Sequence, residues 1–476
     1  MAIGHFINGE WIKQGTLSET VNPSNCSPVS VFHRGSLDLM KQAIAIARRC
    51  FETTNWRAQS RRRAAMLLEY ADNIAARAEI IAQMLTRENG KPITQSRHEV
   101  AAAVNECRYY AGLARNIFGR TAEYDTGQQS LFTREPIGVA AIIVPWNAPA
   151  TLLIRSLAPA LAAGCTAVIK PAAETSGTHH LLMQAIADCP SLEAGAVVSV
   201  NDGGLTVAEA MVADIDIDVI SFTGSTNTGK AIMANASKTL KRLSLELGGK
   251  SPALVFADAD LDNAAAEIAN AVIPHCGQMC TAISRLIVHQ DVAKDLTTRI
   301  IAILNDLVIG SAELESTQLG PLMTSVAANR YAENVALGAA EGEILLHGEV
   351  LSRADFATGH FVSPTIVQIE NHSSCLVQEE LFAPFVCVET FCGLDEAIAS
   401  ANATRYGLAA SIYSCDLITA QAAARGLKAG TVWVNCHNRL MVEAETGGYR
   451  ESGLGRLHGV EGLAPFLETK HIYTQF

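Results

Sequence analysis

Residues 139–170, VAAIIVPWNAPATLLIRSLAPALAAGCTAVIK, hold a β-rich run, a proline-flanked turn, an Ala/Leu-rich stretch and a second β-rich run. That order reads as strand, helix, strand, the unit of a parallel sheet. The alternation spreads outward from there. Runs at 139–144, 167–169, 196–200, 219–222, 242–245 and 253–256 form one series, with helical stretches between them. A second series follows Arg285, at 286–288, 344–346, 365–367, 386–391, 409–413 and 431–434. Two series of this kind predict two doubly wound α/β domains. Upstream, 38–118 reads mostly as helix, from apolar residues at helical spacing. Residues 121–134 are polar around Gly127 and read as a loop or exposed hairpin entering a strand. The end, FLETKHIYTQF at 466–476, is half strand-like and suited to pairing, for example with another subunit.

Composition narrows the function. The chain has 476 residues, 49% apolar and 18% charged, which is ordinary for a globular protein with large cores. Its formal net charge is −12, and no long Lys/Arg-rich run occurs beyond Arg61-Arg62-Arg63, which argues against nucleic acid and anionic membranes as partners. The 12 cysteines are scattered and form no CxxC pair, so neither a disulfide framework nor a zinc ribbon is expected, and no metal site. The start, MAIGHFINGEWIK, lacks the pattern of a signal peptide, and the most apolar region, 138–169, is broken by Pro145, Asn147, Pro149, Arg155 and Pro159. A cytoplasmic protein is the expectation.

Five segments hold residues suited to chemistry. Cys280 follows a Gly-Gln turn in Cys276-Gly277-Gln278-Met279-Cys280, where a thiol is either an exposed nucleophile or a small buried hydrophobe. Glu246 stands between two leucines before Gly248-Gly249, as a buried base or as a solvated strand end. Asn147, in Val144-Pro145-Trp146-Asn147-Ala148-Pro149, fits either a fixed amide donor for an oxyanion or a helix N-cap. The stretch Ser221–Lys230 leads from a strand through Gly224, Ser225 and Gly229 into a helix, a geometry that favours pyrophosphate. It departs from a P-loop because Ala231 follows Lys230. Lys170 closes a strand in Val168-Ile169-Lys170-Pro171 and suits ribose hydroxyls or a phosphate.

In this order the five segments resemble the NAD(P)-dependent aldehyde dehydrogenase superfamily, of the hydrolytic type. The similarity runs from Phe6-Ile7-Asn8-Gly9-Glu10-Trp11 to the tail and includes Glu379-Glu380-Leu381-Phe382-Ala383-Pro384 and Gly447-Gly448-Tyr449-Arg450-Glu451-Ser452-Gly453. The resemblance implies two Rossmann-like domains and a small β oligomerisation element. A cofactor domain would take 1–118 and 137–248, a catalytic domain 249–448, and the oligomerisation element 119–136 and 459–476. It implies Cys280 as nucleophile, Asn147 as oxyanion donor and Glu246 as the base that hydrolyses the thioester. Trp146, Lys170, Ala173, Gly224, Ser225, Gly229, Glu380 and Phe382 would contact the dinucleotide. A homodimer or homotetramer is expected.

Departures from the family pattern shape the finer expectations. The acidic residue that usually follows the lysine by three positions is Ala173, which makes NADP use or dual specificity the expectation unless Glu174 turns inward. Positions often aromatic in the family are Ala148, Arg155, Pro274 and Thr446. Arg155 matches an arginine of semialdehyde dehydrogenases, so a polar or anionic aldehyde is expected, with His437, Asn438 and Arg439 supplying further contacts. A broad-specificity, NAD-using enzyme for apolar or aromatic aldehydes is the alternative. The family often has Lys and Glu where Ser156 and Leu457 stand, so no proton relay behind Glu246 is expected. A CoA-acylating enzyme is disfavoured by Glu246, a cysteine hydrolase by the glycine-rich turn, and a silent protein of the same fold by the retention of both Cys280 and Glu246.

Overall fold

The computed structural model describes residues 2–353 and 356–476. Two twisted α/β sheets dominate it. The first runs, edge to edge, Gly453–Leu454, Arg242–Glu246, Val219–Thr223, Val139–Ile143, Thr166–Lys170, Val197–Ser199, His5–Ile7, Glu10–Ile12. Its five central strands are parallel, and the terminal pairings are antiparallel. The second sheet runs Glu343–Leu346, Thr365–Gln368, Phe385–Phe391, Ile283–His289, Ser251–Val255, Ala409–Tyr413, Thr431–Val434. Each α/β layer packs its own apolar cores against its helices. Among the described residues no helix is long and apolar enough to cross a membrane.

The run expected at 253–256 belongs to the second sheet, not to the first series. The reason is the connection. Only Leu247, Gly248, Gly249 and Lys250 separate Glu246 from Ser251. A crossover between parallel strands of one sheet needs about a dozen residues or more. The chain therefore leaves the first sheet at Glu246 and starts the second at Ser251. The two glycines serve close approach. A Cβ on Gly248 would lie 2.5 Å from the Glu380 carboxylate, and one on Gly249 2.4 Å from the Cys280 carbonyl oxygen.

The helix Pro149–Ala163 illustrates how sequence positions the site. Pro149 opens it, Gly164 closes it in a left-handed conformation at φ 105°, and it is apolar on nearly every side. Such a helix belongs inside the molecule. It carries Arg155 and Ser156 into the interior with it. Its first free N–H groups, of Ala150 and Thr151, donate to the Glu99 carboxylate at 2.9 and 3.4 Å. The residue before Pro149 is Ala148, with no side-chain cap. Asn147 is thereby released from the capping role.

The polar stretch after residue 118 forms the strands Arg120–Glu123 and Gln128–Pro136. The tail strand Leu467–Gln475 pairs antiparallel with the whole of Gln128–Pro136, and all but its first residue are exposed. It is one edge of this three-stranded sheet. A separate two-stranded sheet joins Leu17–Val21 to Pro28–His33.

Candidate active site

In the first sheet the strand order reverses between Val139–Ile143 and Val219–Thr223. The crevice beyond the carboxyl ends of such strands is where open α/β sheets bind ligands. Three cavities meet there in sequence. The first, of about 490 Å³, is walled by Lys170, Ala172, Glu174, Phe222, Gly224 and Thr228 among others. The second, of about 610 Å³, shares Pro145, Thr223 and Gly224 with it and continues past Trp146, Ser225, Asn227, Glu380 and Phe382. The third, of about 660 Å³, shares Asn147, Leu152, Glu246 and Cys280 with the second. Cys280 thus stands in the partition between two cavities.

The loop that presents Cys280 is unusual in its backbone. His275, Cys276 and Gly277 are left-handed in succession, at φ 48°, 56° and 72°. Only glycine adopts that conformation freely, so the surrounding contacts must hold the two others. They are on view. The His275 N–H donates to Gln95 Oε1 at 2.9 Å, and its Nε2 donates to the Asn89 carbonyl at 2.8 Å. Gln278 ties the loop from within, donating to the His275 carbonyl at 2.9 Å and accepting from the Met323 N–H at 2.9 Å. Gly277 is pressed against Ala383, whose carbonyl carbon would lie 2.4 Å from a Cβ. Asn147 Nδ2 donates to the Gln278 carbonyl at 3.0 Å, which fastens the amide to the same loop.

Electrostatics follow from burial. The Cys280 thiol is pushed up to about 12, by burial first and then by the Glu380 and Glu246 carboxylates, with Arg155 opposing. Glu246 is raised by burial, against Arg155, His458 and Arg456, and its Oε1 has no hydrogen-bond partner. Glu380 is raised to about 7 by burial, although it accepts the Gly249 N–H at 3.2 Å. Lys170 is lowered by burial, with Asp202 and Glu174 opposing.

The dinucleotide-type residues divide. Trp146, Gly224, Ser225, Glu380 and Phe382 wall the second cavity, and Lys170 the first. Trp146 meets the Phe382 ring edge-on at 5.8 Å between centroids. Ser225 caps the helix Thr226–Ala236, accepting from the Thr228 N–H. Gly229 lies off the cavity wall. A Cβ there would meet the Leu247 side chain at 2.5 Å, so this glycine lets the helix pack close. Ala173 is also off the wall. Its neighbours Ala172 and Glu174 line the cavity instead, because Ala173–Thr175 is a tight helical turn that points consecutive side chains in different directions.

The substrate-type residues divide as well. Arg155, Ala148 and Thr446 line the third cavity. Arg155 is buried, its Nε has no partner, and one terminal nitrogen donates to Thr223 Oγ1 at 3.3 Å. His437 and Arg439 do not reach that cavity. The His437 ring sits between Ser411 Oγ at 2.5 Å and the Thr281 carbonyl at 2.8 Å, and burial lowers it to about 4. Arg439 pairs with Glu267 at 2.8 Å. Both border a separate side pocket of about 350 Å³. Asn438 lies between and lines both spaces.

The third cavity also has walls that local motifs do not announce. Trp433, Leu440 and Met441 add apolar surface. Glu106 and His458 lie against each other on its wall, with Nδ1 to carboxylate distances of 3.0 and 2.9 Å. One signal was available for the histidine: it directly follows Leu457, a position already marked as departing from pattern.

Comparison with known proteins agrees with this geometry. The model of the aldehyde dehydrogenase family matches residues 11–472. Aldehyde dehydrogenase 1 of Tanacetum cinerariifolium is 36% identical over 98% of this chain and 94% of its own length. The crystal structure of an NAD-dependent aldehyde dehydrogenase from Sinorhizobium meliloti superposes with a TM-score of 0.97 at 33% identity, covering 100% of this chain and 95% of that one. A point mutant of betaine aldehyde dehydrogenase from Staphylococcus aureus, solved in complex with NAD+, gives 0.97 at 32% identity, covering 100% and 97%.

Proposed function

The chain belongs to the aldehyde dehydrogenase family, and from that premise we propose that it oxidises an aldehyde to the carboxylic acid, with NAD and by way of a thioester on Cys280. One observation carries the reading: Cys280, Glu246 and Asn147 share the wall between the second and third cavities. A thiol, a buried carboxylate and a neutral amide there can serve one carbonyl carbon from different sides.

The residues present suit a dinucleotide. The first N–H groups of the helix Thr226–Ala236 lack helical acceptors, and Ser225, Thr226 and Asn227 line the second cavity, a fit for pyrophosphate. Glu380, admitted by the glycine pair, would hold one ribose, and Lys170 with Glu174 the other. When bound, the nicotinamide supplies the acceptor for the hydride that leaves the aldehyde carbon. The chain's own residues do the rest. The Cys280 sulfur, once deprotonated, adds to the carbonyl carbon. The oxyanion formed is met by the Asn147 amide and the Cys280 N–H. Loss of hydride leaves a thioester. Glu246 takes a proton from water as the oxygen attacks that thioester, and the acid departs.

The expectation of NADP use or dual specificity rests on Ala173, with an inward Glu174 as the alternative; that Glu174 borders the cavity together with Lys170 supports the alternative. A carboxylate there accepts from ribose hydroxyls and repels a 2′-phosphate. NAD is therefore the better reading. In Glu174→Ala the NADP/NAD ratio of kcat/KM is expected to rise by about 10-fold or more, the worth of one charged hydrogen bond. An unchanged ratio counts against this role.

Arg155 supports an anionic or strongly polar aldehyde. A buried guanidinium on the cavity wall, with no salt-bridge partner among the described residues, seeks an acceptor. Its charge also opposes a fixed cation such as betaine aldehyde. Arg155→Ala removes a charge that favours the ionised forms of Cys280 and Glu246 for every aldehyde, and is expected to lose about 100-fold more in kcat/KM on succinic semialdehyde than on hexanal, the scale of a lost buried charge pair. Equal losses on both would remove the carboxylate clamp. Trp433, Leu152, Ile273 and Met441 favour the second reading, an aldehyde with a large apolar or aromatic body. Both readings are separated by one screen, the absorbance of reduced cofactor with anionic, aromatic and aliphatic aldehydes and each dinucleotide. No reduction with any aldehyde overturns the assignment.

The exposed edge strand Leu467–Gln475 supports assembly into a homodimer or homotetramer, since an open row of N–H and C=O groups invites a partner. Twelve free cysteines suit a reducing compartment such as the cytoplasm.

A further inference from the structure

The hydrolytic half of the reaction leaves a proton on Glu246, and the structure offers that proton few destinations. Glu246 is buried, makes no side-chain hydrogen bond among the described residues, and has Oε1 sealed from solvent without a partner. Glu246 borders both the second cavity, which the dinucleotide would fill, and the 660 Å³ cavity, which is left for water. Apart from Cys280, the sulfur released in the step, the titratable groups on the wall of the larger cavity fall away one by one. Lys91 and Glu99 are paired with each other, and Glu99 also holds two backbone N–H groups. His275 gives Nε2 to the Asn89 carbonyl, and its Nδ1 is sealed from the cavity without a partner. The Arg155 guanidinium has no lone pair with which to take a proton. His98 is exposed at the surface. What is left is His458 with Glu106.

This pair is built across the fold. Glu106 lies on the helix Ile93–Leu113, and His458 lies in the C-terminal segment that follows the strand Gly453–Leu454, itself paired with Glu246. Both side chains are buried, and Nδ1 of the ring is engaged by both carboxylate oxygens. Nε2 makes no hydrogen bond among the described residues and is not among the sealed polar atoms. His458 is held at φ 60°, a left-handed conformation uncommon outside glycine but one that histidine tolerates better than most residues. A ring oriented by a carboxylate through one nitrogen and open at the other is the arrangement of an acid–base group.

We propose that His458, oriented by Glu106, receives through cavity water the proton that Glu246 has taken from the hydrolytic water. The inference rests on the function proposed above. In the step, the water O–H breaks, its oxygen bonds to the thioester carbon, and the C–S bond breaks to release the Cys280 sulfur. The proton passes from Glu246 to His458 Nε2 and then to solvent, and Glu246 returns to its charged form. No electrons change hands. The direct exchange between Glu246 and bulk water, expected from Ser156 and Leu457, is thereby replaced by a device drawn from other positions. Glu106 is a positioning residue, acting through the ring.

The test uses His458→Asn, since asparagine tolerates the left-handed backbone, and Glu106→Gln, which keeps the contact without the charge. Stopped-flow absorbance with NAD and an aldehyde that the wild type oxidises separates the two half-reactions. His458→Asn is expected to keep the rapid first equivalent of reduced cofactor, keep KM, and lose about 10-fold or more in the turnover that follows, in the range of a lost proton-transfer group. Added imidazole is expected to restore that turnover, and Glu106→Gln to show a smaller loss. Unchanged turnover, a change confined to KM, or a loss that imidazole does not repair overturns the proposal. Failure of the wild-type protein to reduce NAD with any of the aldehydes overturns the proposed function instead, and so the two failures are told apart.

Discussion

Glu246→Gln is expected to reduce one equivalent of NAD per active site and then stall, with steady-state turnover down by about 10²–10⁴-fold, the usual worth of a general base. The separation follows from position. Glu246 shares the cavity wall with Cys280; its Oε1 is sealed, and its other carboxylate oxygen, which has no hydrogen-bond partner among the described residues, is left for what enters that space. Glutamine keeps the shape and loses the ability to take a proton from water. The thioester then forms and persists, which mass spectrometry of the quenched protein reads as an acylated Cys280. The charge argument points the same way, because Glu246 is one of the carboxylates that keep the thiol protonated. Loss of the first equivalent as well would assign Glu246 to activating Cys280. The pH dependence has a definite sign. Burial raises Glu246, so its charged form is lost at a higher pH than for an ordinary carboxylate. Wild-type turnover therefore falls on the acid side earlier than an exposed glutamate would allow.

Cys280→Ala is expected to abolish oxidation, by at least about 10⁴-fold, while NAD binding, followed by quenching of tryptophan fluorescence, stays close to wild type. The thiol belongs to one residue of the second cavity's wall, and the residues suited to pyrophosphate and ribose are others on it. Cys280→Ser is expected to recover little, since a hydroxyl releases its proton far less readily than even a thiol raised to about 12. In the wild type the rate of the first equivalent should climb with pH, as more of the raised thiol becomes thiolate. Any substantial oxidation by Cys280→Ala would move the chemistry to another residue.

What could be read from the chain alone was what local pattern encodes. The strands from 139 onward stood out because β-rich runs alternate with helical ones. Cys280, Glu246 and Asn147 stood out because each lies in a short, distinctive segment at a strand end or turn. The strands His5–Ile7 and Glu10–Ile12 were not read as such, although Asn8-Gly9 between them is a strong hairpin signal, with both residues left-handed at φ 55° and 82°. Glu106 and His458, 352 positions apart, meet only through tertiary packing, and no periodicity reports that. His437 and Arg439 show the converse. Their place in the loop was legible, but the direction of each side chain depends on Ser411 and Glu267 in other elements. The one-residue difference between Ala173 and Glu174 is of the same kind, set by the tight turn that carries them.

The partition on which Cys280 stands has a kinetic meaning. Cys280 lines both the second cavity and the third, so an occupant of either one would meet the same sulfur. On the function proposed above, an acid product in the third cavity could leave while the dinucleotide is still seated in the second. A molecule long enough to span both cavities past the sulfur would meet both occupants' walls at once, and would plug the catalyst as a single stopper.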